Sequence, residues 1–201
     1  MWQAEVTSHI MQHDLFYKGL TLLKGFNREE CAHTFEEITK LDQNNAFAHW
    51  VIAYCHGADY NMYGPIYEAI RKSSEWPSLE KAVKHAQLAV NLHKKDDIWN
   101  VIYEATRYRF QKLNLHEYAS YLRNHISKFE KNDPMHYAIE AESLMILEPW
   151  KLWDQVTMLP TDNAVKVKNI LNEGLKLYPE DEWLCHLKVH YCEMGPKEQF
   201  D

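Results

Sequence analysis

The chain has 201 residues, of which 46% are hydrophobic, and it contains only 6 glycines and 7 prolines. A chain of this length and composition can bury a core, which excludes a disordered or fibrous protein. Its formal net charge of −7 opposes binding to phosphate backbones and anionic lipid. No run approaches the roughly 18 apolar residues of a membrane-spanning helix. We therefore expect one domain over residues 1–201 that binds neither nucleic acid nor membrane.

The first three elements are predicted from apolar spacing and capping residues. Apolar side chains recur three and four positions apart over residues 9–23, which predicts an amphipathic helix. Asn27 stands three residues before Glu30, a capping-box-like start for a second helix that reaches Asp42. A third helix opens near Asn45, and glycines and a proline then interrupt the helical pattern.

Six later segments carry the same periodicity. They cover residues 77–92, 96–112, 116–130, 134–147, 163–177 and 181–194. Asp133-Pro134 has the form of an N-cap followed by proline in the first turn, where the missing N–H costs nothing. No alternating β-branched run of convincing length is present. The predicted fold class is therefore all-α.

A recurring junction indicates an internal repeat, because an apolar helix end, a polar turn and an aromatic helix start return along the chain. The copies are Leu41-Asp42 before Trp50, Leu92-His93 before Trp99, Leu177-Tyr178 before Trp183 and, more weakly, Phe129 before Asp133-Pro134. The copies begin at residues 41, 92, 129 and 177, so their spacings are 51, 37 and 48 residues. This predicts a degenerate array of antiparallel helix pairs with insertions at residues 60–76 and 148–160. Loops on a rigid stack often carry function, so the insertions are the expected site.

One stretch of the chain resembles the opening of a family of large tetratricopeptide-repeat (TPR) proteins, whose pattern reads approximately GL-x-L-x-x-GFNHEEA, then F, LDP, AYWG-x-A and GPNYN. The matching residues are Gly19-Leu20-Thr21-Leu22-Leu23-Lys24-Gly25-Phe26-Asn27-Arg28-Glu29-Glu30, Phe35, Leu41-Asp42, Trp50, Ala53 and Gly57 with Tyr60-Asn61-Met62. Later similarities are Arg107-Tyr108, Glu142-Ser143-Leu144-Met145 with Pro149-Trp150 and Trp153, and Cys185-His186 with His190 and Glu193, which is similar to a family HxxxH segment.

The resemblance covers nearly the whole chain and implies a TPR-like α-solenoid, but it implies no particular reaction. The chain departs from the family pattern at Arg28, where the family has His, at Gln43, where it has Pro, and at His49, where it has Tyr. Family members usually continue with further repeats, so this chain resembles their N-terminal part or a shortened relative.

Histidine spacing raises the possibility of a metal site. The pairs His9/His13 and His186/His190 are each four residues apart, which places both imidazoles of a pair on one face of a helix. Glu142 or Glu193 is the candidate third ligand, because two imidazoles and a carboxylate suit non-haem iron or catalytic zinc. A structural role is favoured, since such pairs arise easily by chance among 12 histidines.

Aromatic and polar residues of the two insertions are the predicted binding residues, namely Tyr60, Asn61, Trp150 and Trp153. With Trp76, the tryptophans could wall a site for a peptide or small molecule, although packing that pins the loops is the favoured interpretation. His49 and His56 are seven residues apart on a predicted core helix, where core or groove lining is favoured.

Cysteine usage favours reduced thiols in a cytoplasmic protein. The four cysteines are Cys31, Cys55, Cys185 and Cys192, and no two form a CxxC pair. Charged residues within the first 17 positions do not support a secretory leader. Three of these thiols, at residues 31, 55 and 185, are expected on apolar helix faces, where a thiol is usually inert.

Two functions compete on these observations. The first is a helical binding module for a peptide or partner protein, with no cofactor. The alternative is a metal-dependent enzyme or metal-binding protein in which His186, His190 and Glu142 hold one iron, copper or zinc ion next to a small organic substrate. A purely structural or regulatory subunit is the third possibility.

Overall fold

The computed structural model describes residues 2–111, 114–193 and 195–196, with side chains from residue 11 onward. Ten α-helices occupy most of these residues, and the described chain contains no strand beyond one isolated bridge between Trp153 and Pro160. The helices are α1 (Trp2–Lys24), α2 (Arg28–Leu41), α3 (Ala46–Cys55), α4 (Gly64–Ser73), α5 (Leu79–Leu92), α6 (Ile98–Gln111), α7 (Leu115–Ile126), α8 (Pro134–Met145), α9 (Asp162–Leu177) and α10 (Glu182–Cys192). The prediction of an all-α fold is confirmed. Within the described residues, none of these helices has the length and apolarity needed to cross a bilayer.

The chain divides into two compact units, Met1–Gly57 with Ala69–Leu113, and Ala58–Glu68 with Asn114–Asp201. In the first unit α2, α3, α5 and α6 each pack against the next helix in that series, and α3 also contacts α6. In the second unit α7, α8, α9 and α10 pack in the same order, and α8 also contacts α10. The same four-helix arrangement therefore occurs in both units, while the prediction of a single domain over residues 1–201 stays a prediction.

The helix ends follow the junctions that the sequence repeats. Leu41, Leu92 and Leu177 are the last residues of α2, α5 and α9. The residues that follow them leave the helical conformation, with ψ of 96°, 125° and 69°, and their backbone N–H groups close the last turn. Trp99 and Trp183 are the second residues of α6 and α10. The junction motif thus marks real helix boundaries.

Both predicted insertions lie at equivalent places in the two four-helix series, between α3 and α5 and between α8 and α9. The first insertion contains α4, a helix that the sequence pattern does not predict. Gly64 and Pro65 resemble helix breakers, but proline is tolerated in a first turn. None of the α4 side chains is buried, although Ile66 and Tyr67 stand four and three positions before Ile70, at helical spacing.

One of the two capping predictions is confirmed and the other is wrong. Asp133 caps α8 as predicted, because its carboxylate accepts the N–H of Met135 at 2.8 Å. Asn27 is the N-cap of α2, but its side chain makes no capping hydrogen bond, so the predicted capping-box interaction is wrong. Its amide instead lies 3.5 Å from the carbonyl of Gly25.

Candidate functional site

A row of four accessible aromatic side chains crosses the first unit from α1 through α3 to α6. They are Phe16 and Tyr17 on α1, Phe47 on α3 and Trp99 on α6, and we call them the aromatic strip. Neighbouring ring centroids are 6.0 Å (Phe16 to Tyr17), 5.5 Å (Phe16 to Phe47) and 5.2 Å (Phe47 to Trp99) apart. Tyr17 is 58% exposed and the other three are partly exposed. The four rings therefore pack in a continuous row, of which Tyr17 is the most exposed member.

Fully buried aromatic rings support this strip from below. Phe35 lies 6.0 Å from Phe16 and from Phe47, and Trp50 lies 5.4 Å from Phe47. Phe35 and Trp50 have no exposed surface. The indole N–H of Trp50 donates to the hydroxyl of Thr106 at 3.0 Å, so its one polar group is satisfied inside the core. The buried rings that contact the strip are therefore held in place by the core.

An open hollow of about 390 Å³ lies at one end of the aromatic strip. Its lining consists of Gln12, His13, Phe16 and Tyr17, all on α1. Sequence reasoning recognised Trp50 and Trp99 only as parts of the repeated junction, and it missed the strip. The helix-start aromatics were the available signal, but tertiary packing decides that α1, α3 and α6 bring them together.

In the second unit, three of the predicted binding residues, Tyr60, Asn61 and Trp150, meet around His190 of α10. The Tyr60 ring stacks on the Trp150 ring with centroids 5.4 Å apart, and both rings contact His190, at 5.1 Å and 6.2 Å. These side chains come from the first insertion, the second insertion and α10. Burial raises the pKa of Tyr60 to about 12, with the Glu193 carboxylate adding to the effect. Its phenol therefore stays protonated at neutral pH.

Two polar side chains hold the His190 ring. Its Nδ1 lies 2.7 Å from the Glu193 carboxylate, and its Nε2 lies 3.4 Å from the Asn61 amide nitrogen. Because an amide nitrogen donates, neutral His190 accepts at Nε2 and donates from Nδ1 to Glu193. Both ring nitrogens are thus engaged, and the Nε2 lone pair that a metal would need faces Asn61.

Of the predicted metal ligands, His186, His190 and Glu193 lie near one another. His186 stacks on His190 with ring centroids 4.8 Å apart, as expected for residues four apart on one helix. Glu142 is buried on α8 with 1% exposure, whereas Glu193 is the carboxylate that contacts His190. Over the described part of the chain, no three His, Cys, Asp or Glu side chains form a group suited to a metal ion. The His9 side chain lies outside the described residues, so the His9/His13 pair cannot be placed.

The predicted binding residues differ in accessibility. Tyr60 is fully buried, and Trp153 is 2% exposed and donates its indole N–H to the carbonyl of Tyr191 at 2.8 Å. Asn61 is exposed and Trp150 is partly exposed. Tyr60 and Trp153 therefore act as packing in this conformation, while Asn61 and Trp150 can reach a ligand.

A second cavity, of about 470 Å³, lies in the first unit where α2 begins. Its walls are formed by Phe26, Asn27, Arg28, Glu29, Glu30, His33 and Trp76. The buried Arg28 guanidinium lies 4.5 Å from the Phe26 ring centroid, and Phe26 has a φ of 60°, an unusual backbone conformation for a residue other than glycine. The cavity combines aromatic surface with charges of both signs, in the stretch that resembles the TPR family.

Buried histidines of the first unit are structural. His56 is 2% exposed and accepts the N–H of Ser78 at 3.1 Å, and burial lowers its pKa to about 4. His49 Nε2 contacts the carbonyl of Gln43 at 3.0 Å, while its Nδ1 lies 2.8 Å from Nδ1 of His85. Burial, and then the neighbouring His49, lower the pKa of His85 to about 4. These contacts agree with the core role expected for His49 and His56.

None of the buried cysteines is a candidate nucleophile. All four are free thiols. The Cys31 thiol lies 3.3 Å from the carbonyl of Gly19, and a hydrogen bond with the Cys55 thiol, followed by burial, raises its pKa. Cys185 is exposed, so its predicted position on an apolar face is wrong, because it lies on the solvent side of α10.

Comparison of the chain with protein-family models, with curated proteins and with solved structures finds no match.

Proposed function

We propose that the chain is a TPR-like α-solenoid that binds a peptide or a partner protein through the aromatic strip. The repeated four-helix packing of the two units supports the solenoid part of this proposal, because stacked helix pairs that contact the next pair are the basic unit of such arrays. The resemblance of residues 19–62 to TPR proteins agrees with it. An assignment to the cytoplasm goes with this proposal.

The observation that carries the binding function is the continuity of the aromatic strip across three helices. Isolated exposed apolar residues are ordinary, whereas a contiguous apolar row marks an interaction surface. Aromatic rings provide large contact area with little side-chain entropy to lose, and they dominate binding energy at interfaces. Tyr17, 58% exposed beside the 390 Å³ hollow, is the side chain best placed to contact a ligand.

The chemistry of the strip selects the class of peptide. Phe16, Phe47 and Trp99 offer ring faces and edges, which accept aliphatic or aromatic anchor side chains. The net charge of −7 favours peptides whose remaining charges are positive, because long-range attraction speeds their association. We therefore expect a peptide with apolar anchors and basic flanking residues.

Phage display of random peptides on the purified protein tests this function. Peptides selected on the wild type are synthesised, and their dissociation constants are measured by fluorescence polarisation. We expect Tyr17→Asp to weaken binding at least tenfold, and Val189→Asp to leave it unchanged. Val189 is the matched control, since it is a 61% exposed apolar residue on α10 of the other unit. Failure to enrich any peptide, or equal affinity for Tyr17→Asp and wild type, would refute the proposal.

The metal-dependent alternative rests on the His186 and His190 rings, which lie 4.8 Å apart on α10. It requires His190 to exchange its Asn61 contact for a metal ion and Glu142 to complete the site. Elemental analysis of untagged protein for iron, copper, zinc and manganese decides it. One metal per chain that is lost in His186→Ala/His190→Ala would favour this alternative, whereas the binding-module proposal expects no such metal.

A further inference from the structure

The exposed face of α1 leads from the aromatic strip to the open cavity where α2 begins, which we call the α2 cavity. Tyr17 and Thr21 are exposed and stand four residues apart, so they share one face of α1. The N–H of Gly25 donates to the carbonyl of Thr21 at 3.0 Å, which continues the helical turn to the residue before Phe26. Phe26 lines the α2 cavity. The strip and the α2 cavity are therefore two ends of one accessible surface of the first unit.

Two aromatic side chains from separate segments wall the α2 cavity. Phe26 follows α1, whereas Trp76 lies at the end of the first insertion. The indole nitrogen of Trp76 is buried, and none of the described residues accepts a hydrogen bond from it. A buried donor without an acceptor is rare in folded proteins. Because the Trp76 side chain is partly exposed, a peptide bound beside it can offer a carbonyl oxygen to this N–H.

The charges that a ligand meets at the α2 cavity are mainly negative. Glu29 and Glu30 are both exposed and both line it. Acidic residues in the first turn of a helix are ordinary, so these two alone would not mark a site. The guanidinium of the lining belongs to Arg28, which is 3% exposed and packs against the rings of Phe26 and Tyr54, at 4.5 Å and 5.0 Å. The positive charge is thus held inside, while both carboxylates face solvent.

A lysine or arginine side chain fits this combination of aromatic walls and exposed carboxylates. Its aliphatic stem packs on a ring, and its cation lies over an aromatic face within reach of a carboxylate. A phosphate or carboxylate group would instead be repelled by Glu29 and Glu30. The same sign of charge is expected for a ligand of the strip, because the net charge of −7 favours basic flanking residues.

We infer that the peptide bound on the aromatic strip places a lysine or arginine side chain in the α2 cavity. This inference rests on the proposed function and adds a second subsite that sets its specificity. Lys24, the last residue of α1, lies seven residues beyond Tyr17, which is roughly 10 Å along the helix axis. An extended peptide covers about 3.3 Å per residue. The basic residue therefore stands about three to five positions from the apolar anchor at Tyr17.

A charge exchange between protein and peptide tests the subsite. The tightest peptide from the phage selection is resynthesised with the basic residue at this spacing replaced by glutamate. Both peptides are titrated by fluorescence polarisation against the wild type and against Glu29→Lys/Glu30→Lys, whose folding is checked by circular dichroism. We expect the wild type to bind the glutamate peptide about tenfold more weakly than the original, and the variant to prefer the glutamate peptide.

The matched control is Glu37→Lys/Glu80→Lys. Both of these glutamates are exposed in the first unit, they lie outside the lining of the α2 cavity, and their replacement changes the net charge by the same amount. The control should keep the wild-type preference. If Glu29→Lys/Glu30→Lys does not fold, Glu29→Gln/Glu30→Gln gives the same comparison against Glu37→Gln/Glu80→Gln, and the preference should shrink only in the first of these.

Failure of this inference can be separated from failure of the proposed function. Selected peptides that lack a basic residue at this spacing would overturn the inference. Equal effects of the two double variants would also overturn it, because the preference would then follow net charge and not the subsite. If these peptides still depend on Tyr17, the proposed function stands. If no peptide binds the strip, the proposed function and the inference are both lost.

Discussion

Replacing His56 with asparagine should reduce the acid sensitivity of the fold. His56 is 2% exposed, and its Nδ1 accepts the N–H of Ser78 at 3.1 Å. Burial, followed by the positive charge of Lys81, lowers its pKa from 6.5 to about 4. The asparagine carbonyl oxygen occupies nearly the position of Nδ1, so His56→Asn keeps an acceptor for Ser78 and removes the titrating ring, and the comparison of pH dependences separates this loss from the pH-independent cost of lost packing.

The sign and size of the effect follow from the two pKa values. In the unfolded chain the imidazole takes up a proton as the pH falls through 6.5, whereas in the folded chain it does so only near pH 4. The unfolded state therefore binds more protons between these values, and the free energy of unfolding falls as the pH falls. At pH 4.5 the loss from His56 alone reaches about 2 kcal/mol.

Urea unfolding at pH 7.5, 6.5, 5.5 and 4.5, followed by circular dichroism at 222 nm, measures this dependence. We expect the wild type to lose about 2 kcal/mol more than His56→Asn between pH 7.5 and pH 4.5. The control is His116→Asn, because His116 is exposed in the fold. If His56→Asn and wild type lose the same free energy over this range, the imidazole is hydrated in the folded state and the reasoning is refuted.

Three further substitutions test the local analysis. Asn45→Ala should lower the free energy of unfolding by about 1 kcal/mol, because the Asn45 side chain caps α3, whereas Asn27→Ala should cost only a few tenths, because Asn27 makes no capping hydrogen bond. Urea unfolding of both variants at pH 7 compares them, and equal losses would contradict the difference in capping. Gly19→Ala should destabilise α1 against α2, since a Cβ there would lie 2.4 Å from the buried Phe35 ring. Overpacking costs about 1–3 kcal/mol, against about 1 kcal/mol gained in helix propensity, so an unchanged or raised melting temperature would show that the ring can move.

The helices could be predicted where local chemistry defines them. Asp133 followed by Pro134 marks the start of α8 because capping and proline geometry involve only neighbouring residues. Leu41 and Leu92 mark helix ends because an apolar stripe stops there. The helix α4 was not predicted, because Gly64 and Pro65 at its start resemble helix breakers, although Ile66 and Ile70 have helical spacing.

The candidate sites depend on contacts between distant segments, which spacing alone does not determine. The pair His186 and His190 was predictable, since residues four apart share a helix face. The contacts of His190 with Asn61 and Tyr60 join positions about 130 residues apart in sequence, and they exist only because α10 packs next to residues 58–68, which belong to the same unit. Sequence could name these residues as candidates, but the polar partners of the ring are a tertiary property.

The aromatic residues, 13% of the chain, divide into anchors and displayed surfaces, which composition cannot separate. In the first unit the buried Trp50, with its indole N–H bonded to Thr106, supports the aromatic strip. In the second unit the buried Trp153, with its indole N–H bonded to the carbonyl of Tyr191, bridges to Pro160 and closes a loop whose Val156 and Leu159 side chains are exposed. A buried indole whose N–H is hydrogen-bonded is held rigidly, and its burial leaves no polar group unsatisfied. Such an indole can keep neighbouring apolar side chains at the surface. Exposed apolar groups that are held in place in this way are ready to bind, because little ordering remains to oppose association.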